Sequence, residues 1–221
     1  MAGPHEILGI ARLLGIGTTE FLARYTDNGG TTLRNVPDGR CVFVTAGGGC
    51  QVHPRRPLVC RLYPLGRKTD GEGGERFALF PKQEGCGAEF GTDGTIADFL
   101  DSQGVDPYFE WSRRYGLFFH RMMGLLDRLG IEAKVDAPET GAGGGEAPGL
   151  AAEAAPLSSW QDIDASLEAY CAAKGIAEPS GVEDAIDLHL RAMEEWLDDL
   201  EAKAARGPAG EYDEDEGEGT P

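Results

Sequence analysis

The feature that most constrains the fold of this chain is a cluster of cysteines in its first half. Four of the five cysteines, Cys41, Cys50, Cys60 and Cys86, are separated by gaps of eight, nine and twenty-five residues. Cysteines that converge in a folded domain usually form disulfides or hold a metal ion. A bound metal cross-links the chain, so this region can fold with few long helices or strands of its own.

The remaining sequence favours a metal over disulfides. The N-terminus shows no basic flank followed by an apolar stretch and a small-residue cleavage site, which points to the cytoplasm. Cytoplasmic thiols are kept reduced, and clustered cysteines there bind metal more often than each other. The cysteine count is also odd. We therefore expect a metal site, while inert buried cysteines and redox-active thiols remain the alternatives.

The negative charge of the chain is concentrated beyond the cysteine region. The net charge is −18, yet residues 1–136 hold sixteen Lys and Arg residues against seventeen Asp and Glu residues. Nucleic-acid binding needs clustered cations that replace counterions, so no nucleic-acid partner is expected. No run of about 18 apolar residues exists, so no membrane association is expected either. The acidic C-terminal helices offer a surface for a protein partner.

Hydrophobic patterning predicts an α+β chain that is mostly helical. A small, irregular cysteine-cluster domain with short strands is expected over residues 1–136. Gly-, Ala- and Pro-rich composition predicts a flexible linker over residues 137–157. Two helices are expected within residues 158–207, and an acidic, disordered tail over residues 208–221.

Apolar residues at helical spacing, together with capping signals, predict six helices. They cover residues 4–15, 18–25, 95–104, 106–129, 159–174 and 180–206. Short strands or extended pieces are predicted over residues 41–44 and 49–53, and another extended segment over 76–80, with a glycine turn at 47–49 and a polar loop at 68–74. The apolar stripes of the long helices are assigned to the core.

The surroundings of Cys60 fit a thiolate site. Four thiolates suit tetrahedral zinc or an iron–sulfur centre, and they leave negative charge that nearby cations offset. Cations also lower the pKa of a thiol. Four arginines surround Cys60 in the sequence: Arg55, Arg56, Arg61 and Arg67. His53 is an alternative ligand, although a surface position is more common for such a histidine.

Outside this region the sequence assigns no chemistry. Cys171 lies in a predicted helix and is interpreted as core packing. The other histidines, His5, His120 and His189, are isolated. No nucleophile–base motif, phosphate-binding glycine loop or dinucleotide-binding fingerprint is present, so no catalytic residue is assigned.

The central motif resembles a known family. Residues 56–64, R-P-L-V-C-R-L-Y-P, are similar to the R-P-x-x-C-R-x-Y/F-P core of the YkgJ-type cysteine-cluster family, a zinc- or iron-chelating domain. Residues 41–43 and 49–53 resemble the two segments that precede this core, Cys86 resembles a later cysteine, and residues 19–25 resemble an upstream helix. The similarity covers about residues 4–130.

This resemblance implies metal chelation through Cys41, Cys50, Cys60 and Cys86, with zinc or iron, including an iron–sulfur cluster, as the metal. Some members are labelled Fe–S oxidoreductases, and some resemble a flagellin lysine N-methylase. A shared fold does not establish either reaction.

In one respect the chain departs from the family pattern. The family begins with a C-x-x-C-type cluster just before the first helix, and no such cluster precedes Pro4 here. One interpretation is that the start codon is placed too late, so that part of the ligand set is missing. A chain extended upstream in the same reading frame is then expected to bind metal better. The other is a reduced member with one complete four-sulfur site.

Overall fold

The computed structural model describes residues 2–27, 30, 32–69, 74–81, 91, 93–129 and 160–206. Within these ranges the fold is mostly helical, with two small antiparallel sheets, as the sequence predicts. The helices are α1 (Pro4–Leu14), α2 (Thr18–Tyr25), α3 (Leu58–Leu62), α4 (Ile96–Gln103), α5 (Asp106–Leu129), α6 (Ile163–Lys174) and α7 (Val182–Arg206). The strands are β1 (Thr26–Asp27), β2 (Thr32–Leu33), β3 (Leu65–Thr69) and β4 (Glu75–Leu79).

The predicted helices are confirmed within a few residues, and local capping explains their ends. Thr95 and Asp98 form the predicted capping box of α4, in which Thr95 N donates to the Asp98 carboxylate at 2.8 Å. Gly15 and Gly104 end α1 and α4 in the left-handed region, where a side chain would be strained. The predicted linker over 137–157 and tail over 208–221 lie outside the described residues.

The two segments of the cysteine region do not form regular strands, so the strand form of this prediction is wrong. Residues 41–44 and 49–53 make only single bridges, Asn35 with Cys41 and Val44 with Cys50. His53 instead begins a short 3₁₀ helix that ends at Arg55. No ladder extends beyond the Val44–Cys50 bridge because the chain turns again on both sides of it: Val44 N donates to Cys41 O at 3.0 Å, and His53 N donates to Cys50 O at 3.3 Å.

The sheet formed by β3 and β4 is longer than the sequence predicts. The expected strand over 76–80 is present as β4, and it pairs antiparallel with β3 in a five-residue register from Leu65–Leu79 to Thr69–Glu75. Lys68 and Thr69, which the sequence pattern assigns to a loop, are therefore part of β3. The short helix α3 is not predicted by the pattern either, since five residues carry no helical period.

One core cluster joins both halves of the chain. It combines Leu8 of α1, aromatic residues of α5 and apolar residues of α6 and α7. Its buried members are Leu8, Trp111, Tyr115, Ile163, Leu167, Ala185, Ile186 and Leu190. The C-terminal helices thus pack against the front of the chain as well as against each other.

A second core cluster lies under the cysteine region. Ile7, Ile10 and Ala11 of α1 and Phe21 of α2 pack there with Phe43 and Val52, and all six are at most 1% exposed. Phe43 and Val52 are therefore the anchors that fix the irregular loop on the helices. None of the described helices is both long and apolar enough to cross a membrane.

Two carboxylates attach α6 to the start of α2. Asp162 caps α6 by accepting from Ala165 N at 3.2 Å, and it also accepts from the hydroxyls of Thr18 and Thr19. Asp164 accepts from Thr18 N at 2.8 Å, at the positive end of α2, and forms a two-bond ion pair with Arg12. Asp162 is 7% exposed and Thr18 is fully buried, so the bond between their side chains is shielded from water, whereas the Arg12–Asp164 pair is exposed.

Replacing Asp162 with alanine is expected to lower the free energy of unfolding by roughly 2–4 kcal/mol, because the cap of α6 is lost together with the acceptor for the buried Thr18 hydroxyl and the part-buried Thr19 hydroxyl. Urea denaturation of Asp162→Ala measures this loss. Asp198→Ala is the matched control, since Asp198 forms an exposed pair with Arg121. A loss in Asp162→Ala no larger than in the control would contradict a structural role for this contact.

Candidate metal centre

Three of the four predicted ligands lie in the described residues, on two adjacent segments. Cys41 and Cys50 lie in the loop that Phe43 and Val52 anchor, and each forms a single β-bridge, Cys41 with Asn35 and Cys50 with Val44. Cys60 is in the middle of α3. Cys41 is partly buried, whereas Cys50 and Cys60 are exposed residues. All three thiols are free, and Cys86 lies outside the described residues.

The loop that carries Cys41 and Cys50 is closed by its own backbone. Gln51 N donates to Phe43 O at 2.9 Å, and Val44 N donates to Cys41 O at 3.0 Å. Gly48 has a φ of 80°, which the turn between the two cysteines requires. These bonds fold the eight intervening residues back, so that Cys41 and Cys50 lie at the same end of the loop.

The helix that carries Cys60 is held by a buried carboxylate. Glu6 of α1 is 4% exposed, and its two oxygens accept from Leu58 N, at the first turn of α3, and from Gly3 N at 2.7 Å. Burial raises the pKa of Glu6, while these two backbone donors lower it. The start of α1 and the start of α3 are thereby joined through one side chain.

The two arginines of the R-P-x-x-C-R motif hold the backbone around Cys60. Arg61 is 8% exposed and donates to the carbonyls of Pro54, Arg56 and Gln103 at 2.8, 3.1 and 2.6 Å. It also donates to the Tyr108 hydroxyl at 2.9 Å, and its guanidinium lies 4.2 Å from the centre of the Tyr108 ring. Because Arg61 reaches three separate segments, it fixes α3 against α4 and α5.

Arg56 has a similar role at the surface. It donates to His53 O at 2.8 Å and to the side-chain oxygen of Gln103 at 2.6 Å. The Nδ1 atom of His53 lies 3.4 Å from the same guanidinium. His53 is exposed and faces a cation, which disfavours its role as a metal ligand.

The three thiols are close enough to affect one another electrostatically. The pKa of Cys60 is raised, first by burial of its thiol and then by the neighbouring Cys41 and Cys50. Cys60 is an exposed residue overall, but its sulfur is partly shielded from water. Like charges that raise a pKa are the signature of titratable groups that share one site.

The arginines do not outweigh the effects that raise the pKa of this thiol, so the pKa is raised and not lowered as the sequence predicts. Of the four, Arg56 is the one that lowers the pKa of Cys60, and its effect is smaller than those of burial and the other thiols. Arg61 is committed to backbone carbonyls. Arg67 is paired with Glu75 and lies over the Phe109 ring. The thiol of Cys60 is therefore harder to deprotonate than an ordinary thiol in the absence of a metal.

The fit of these residues to a metal is partial. The donors are soft thiols, which suit zinc or iron. Among the described residues, however, no group of three or more His, Cys, Asp or Glu side chains is arranged tightly enough to hold an ion. Cys41, Cys50 and Cys60 are thus brought to one neighbourhood without forming a compact ligand set.

The fifth cysteine and two of the other histidines are buried in the core. Cys171 is 3% exposed in the core, as predicted. His5 and His189, which the sequence left isolated, are 4% and 0% exposed, and burial lowers the pKa of each to about 4. Tyr115 connects them: its ring stacks on His5, and its hydroxyl lies 2.9 Å from Nδ1 of His189. The sequence signal for the burial of His5 and His189 is their helical spacing from neighbouring apolar residues.

Comparisons with protein-family models, curated proteins and solved structures find no match for this chain. The resemblance to the YkgJ-type family therefore rests on the motif residues alone.

Proposed function

We propose that this protein binds zinc or iron through Cys41, Cys50 and Cys60, with Cys86 as the fourth ligand expected from the sequence. One observation carries the proposal. Two separate segments bring the three thiols so close that Cys41 and Cys50 raise the pKa of Cys60. The anchored loop and the Glu6–α3 contact bring them together, so the grouping is built by the fold. On this proposal the protein resembles the YkgJ-type family in function as well as in motif.

A redox role for the thiols has less support. A nucleophilic cysteine needs a lowered pKa, because the thiolate is the reactive form. The pKa of Cys60 is raised instead. A metal ion overcomes that penalty, since it displaces the protons and offsets the repulsion among the thiolates. Metal binding is accordingly expected to release protons and to strengthen as the pH rises.

Metal analysis of the purified chain, combined with an absorption spectrum, tests the proposal. Stoichiometric zinc in a colourless protein would support a structural site, and broad visible absorption with iron would support an iron–sulfur cluster. Serine substitution at Cys41, Cys50 or Cys60 is expected to lose the metal, and Cys86→Ser tests the fourth position. Cys171→Ser is the control, because its buried thiol lies in the core of α6.

Two results would contradict metal binding. One is a folded protein that stays metal-free after reconstitution with zinc and with iron. The other is full metal content in the serine variants. Rapid disulfide formation between Cys41, Cys50 and Cys60 in a metal-free protein would favour the redox alternative.

A further inference from the structure

A cavity of about 460 Å³ lies beside the cysteine cluster. Its lining combines apolar and polar residues of α1, α3, β3 and α5 with Phe80, which follows β4. The apolar residues are Leu58, Val59, Leu62, Leu65 and Phe80, and the polar residues are His5, Glu6, Arg67 and Ser112. This volume is typical of small-molecule sites.

Two buried polar atoms of this lining have no partner in the part of the chain that the structure describes. They are Nδ1 of His5 and Nε of Arg67. His5 is 4% exposed, and its other ring nitrogen lies 3.4 Å from Ser112 Oγ. A buried polar group without a partner is costly, so such groups in native proteins usually meet a ligand or water.

We propose that this cavity binds a small monocarboxylate with an aliphatic or aromatic body. The guanidinium of Arg67 gives one donor to Glu75 and leaves Nε for a ligand oxygen. Neutral His5 and the Ser112 hydroxyl supply the other polar contacts. The hydrocarbon body of the ligand lies against Leu58, Leu62 and Phe80.

The polar groups of the lining favour a monocarboxylate over other ligand classes. Each oxygen of Glu6 already accepts a backbone N–H group, which reduces its capacity to bind a cation. A phosphate would bring two negative charges close to Glu6 and Glu75. A monocarboxylate brings one, and it can accept from the unpartnered Nε of Arg67. This inference does not rest on the metal proposal, because none of the three described cysteine ligands lines the cavity.

Titration of the full chain with phenylacetate, followed by methyl NMR and calorimetry, tests the inference. Saturable binding is expected, with shifts at the methyl groups of Leu58, Leu62 and Leu65. Phenylacetamide has the same body without the charge and is expected to bind at least tenfold more weakly. Arg67→Gln is expected to weaken phenylacetate binding roughly tenfold, and Ser112→Ala about threefold.

Arg113→Gln is the matched control, since Arg113 follows Ser112 on α5 and forms an exposed pair with Glu110. Its affinity for phenylacetate is expected to equal that of the wild type. Three results would each overturn the inference: no saturation at millimolar phenylacetate, equal binding of phenylacetamide, or shifts confined to Leu117 and Leu197 in the groove between α5 and α7. If Arg67→Gln disturbs the β3–β4 hairpin, Ser112→Ala still tests the inference, because Ser112 lines the same cavity from α5.

Discussion

Replacing Arg61 with alanine is expected to lower the free energy of unfolding by roughly 3–5 kcal/mol, the largest loss for a single change in the R-P-x-x-C-R motif. The substitution removes the donor for three backbone carbonyls and for the Tyr108 hydroxyl, and it leaves a void beneath that ring. Chemical denaturation monitored by tryptophan fluorescence measures the loss.

Two further variants sharpen this prediction. Arg61→Lys keeps the charge but has three donors on one nitrogen instead of a planar fork, so it is expected to recover less than half of the lost stability. Arg113→Ala removes an exposed arginine and is expected to change stability by less than about 0.5 kcal/mol. If Arg61→Ala were no more destabilising than Arg113→Ala, the structural role of Arg61 would be refuted.

Acid is expected to destabilise the fold strongly between pH 6.5 and pH 4. Burial lowers the pKa of His5 and His189 to about 4, whereas the unfolded chain protonates histidine near its ordinary value of 6.5. The unfolded state therefore binds more protons in this window, so stability falls as the pH falls. Each histidine contributes about 3 kcal/mol to the loss.

Neighbouring carboxylates modify this acid response. The raised pKa of Glu6 acts in the opposite direction, because the folded state gains that proton more easily. Asp162 raises the pKa of His189 but does not outweigh burial. Burial raises the pKa of Asp164, but Arg12 and Thr18 together outweigh it and lower the pKa. Asp164 therefore adds to acid destabilisation at the low end of the range.

Denaturation midpoints at several pH values between 7 and 4 test the acid response. His5→Phe fits the aromatic surroundings of Tyr108, Trp111 and Tyr115, and it is expected to remove about half of the pH dependence. His120→Gln is the control, because His120 is exposed on α5. An unchanged pH profile in His5→Phe would show that His5 is not the buried titrating group.

The helices of this fold could be predicted from the sequence because their signals are local. Thr95 with Asp98 opens α4, and Gly15 and Gly104 end their helices through backbone geometry that neighbouring residues determine. The apolar stripe of α7 likewise anticipated its buried residues Ile186, Leu190 and Leu197. Such features need no knowledge of distant contacts.

The cysteine region was predicted less well because its order depends on long-range contacts. Phe43 and Val52 fix the loop through a core built from α1 and α2, so residues 41–53 need no strand ladder. Arg61 looked like an electrostatic partner of Cys60, but its donors reach carbonyls up to 42 residues away. Glu6 carried no signal at all, since its partner Leu58 lies 52 residues along the chain.

Cobalt substitution is the measurement that tests the proposed centre most directly. Thiolates bound to Co²⁺ give intense sulfur-to-metal charge-transfer absorption, which free thiols and oxygen ligands lack. Titration of the reduced chain is expected to produce this band and to saturate at one equivalent. The band is expected to vanish in Cys60→Ser and to persist in Cys171→Ser. Absence of the band in the wild-type chain, or its persistence when Cys41, Cys50 and Cys60 are all serine, would contradict a metal centre at these residues.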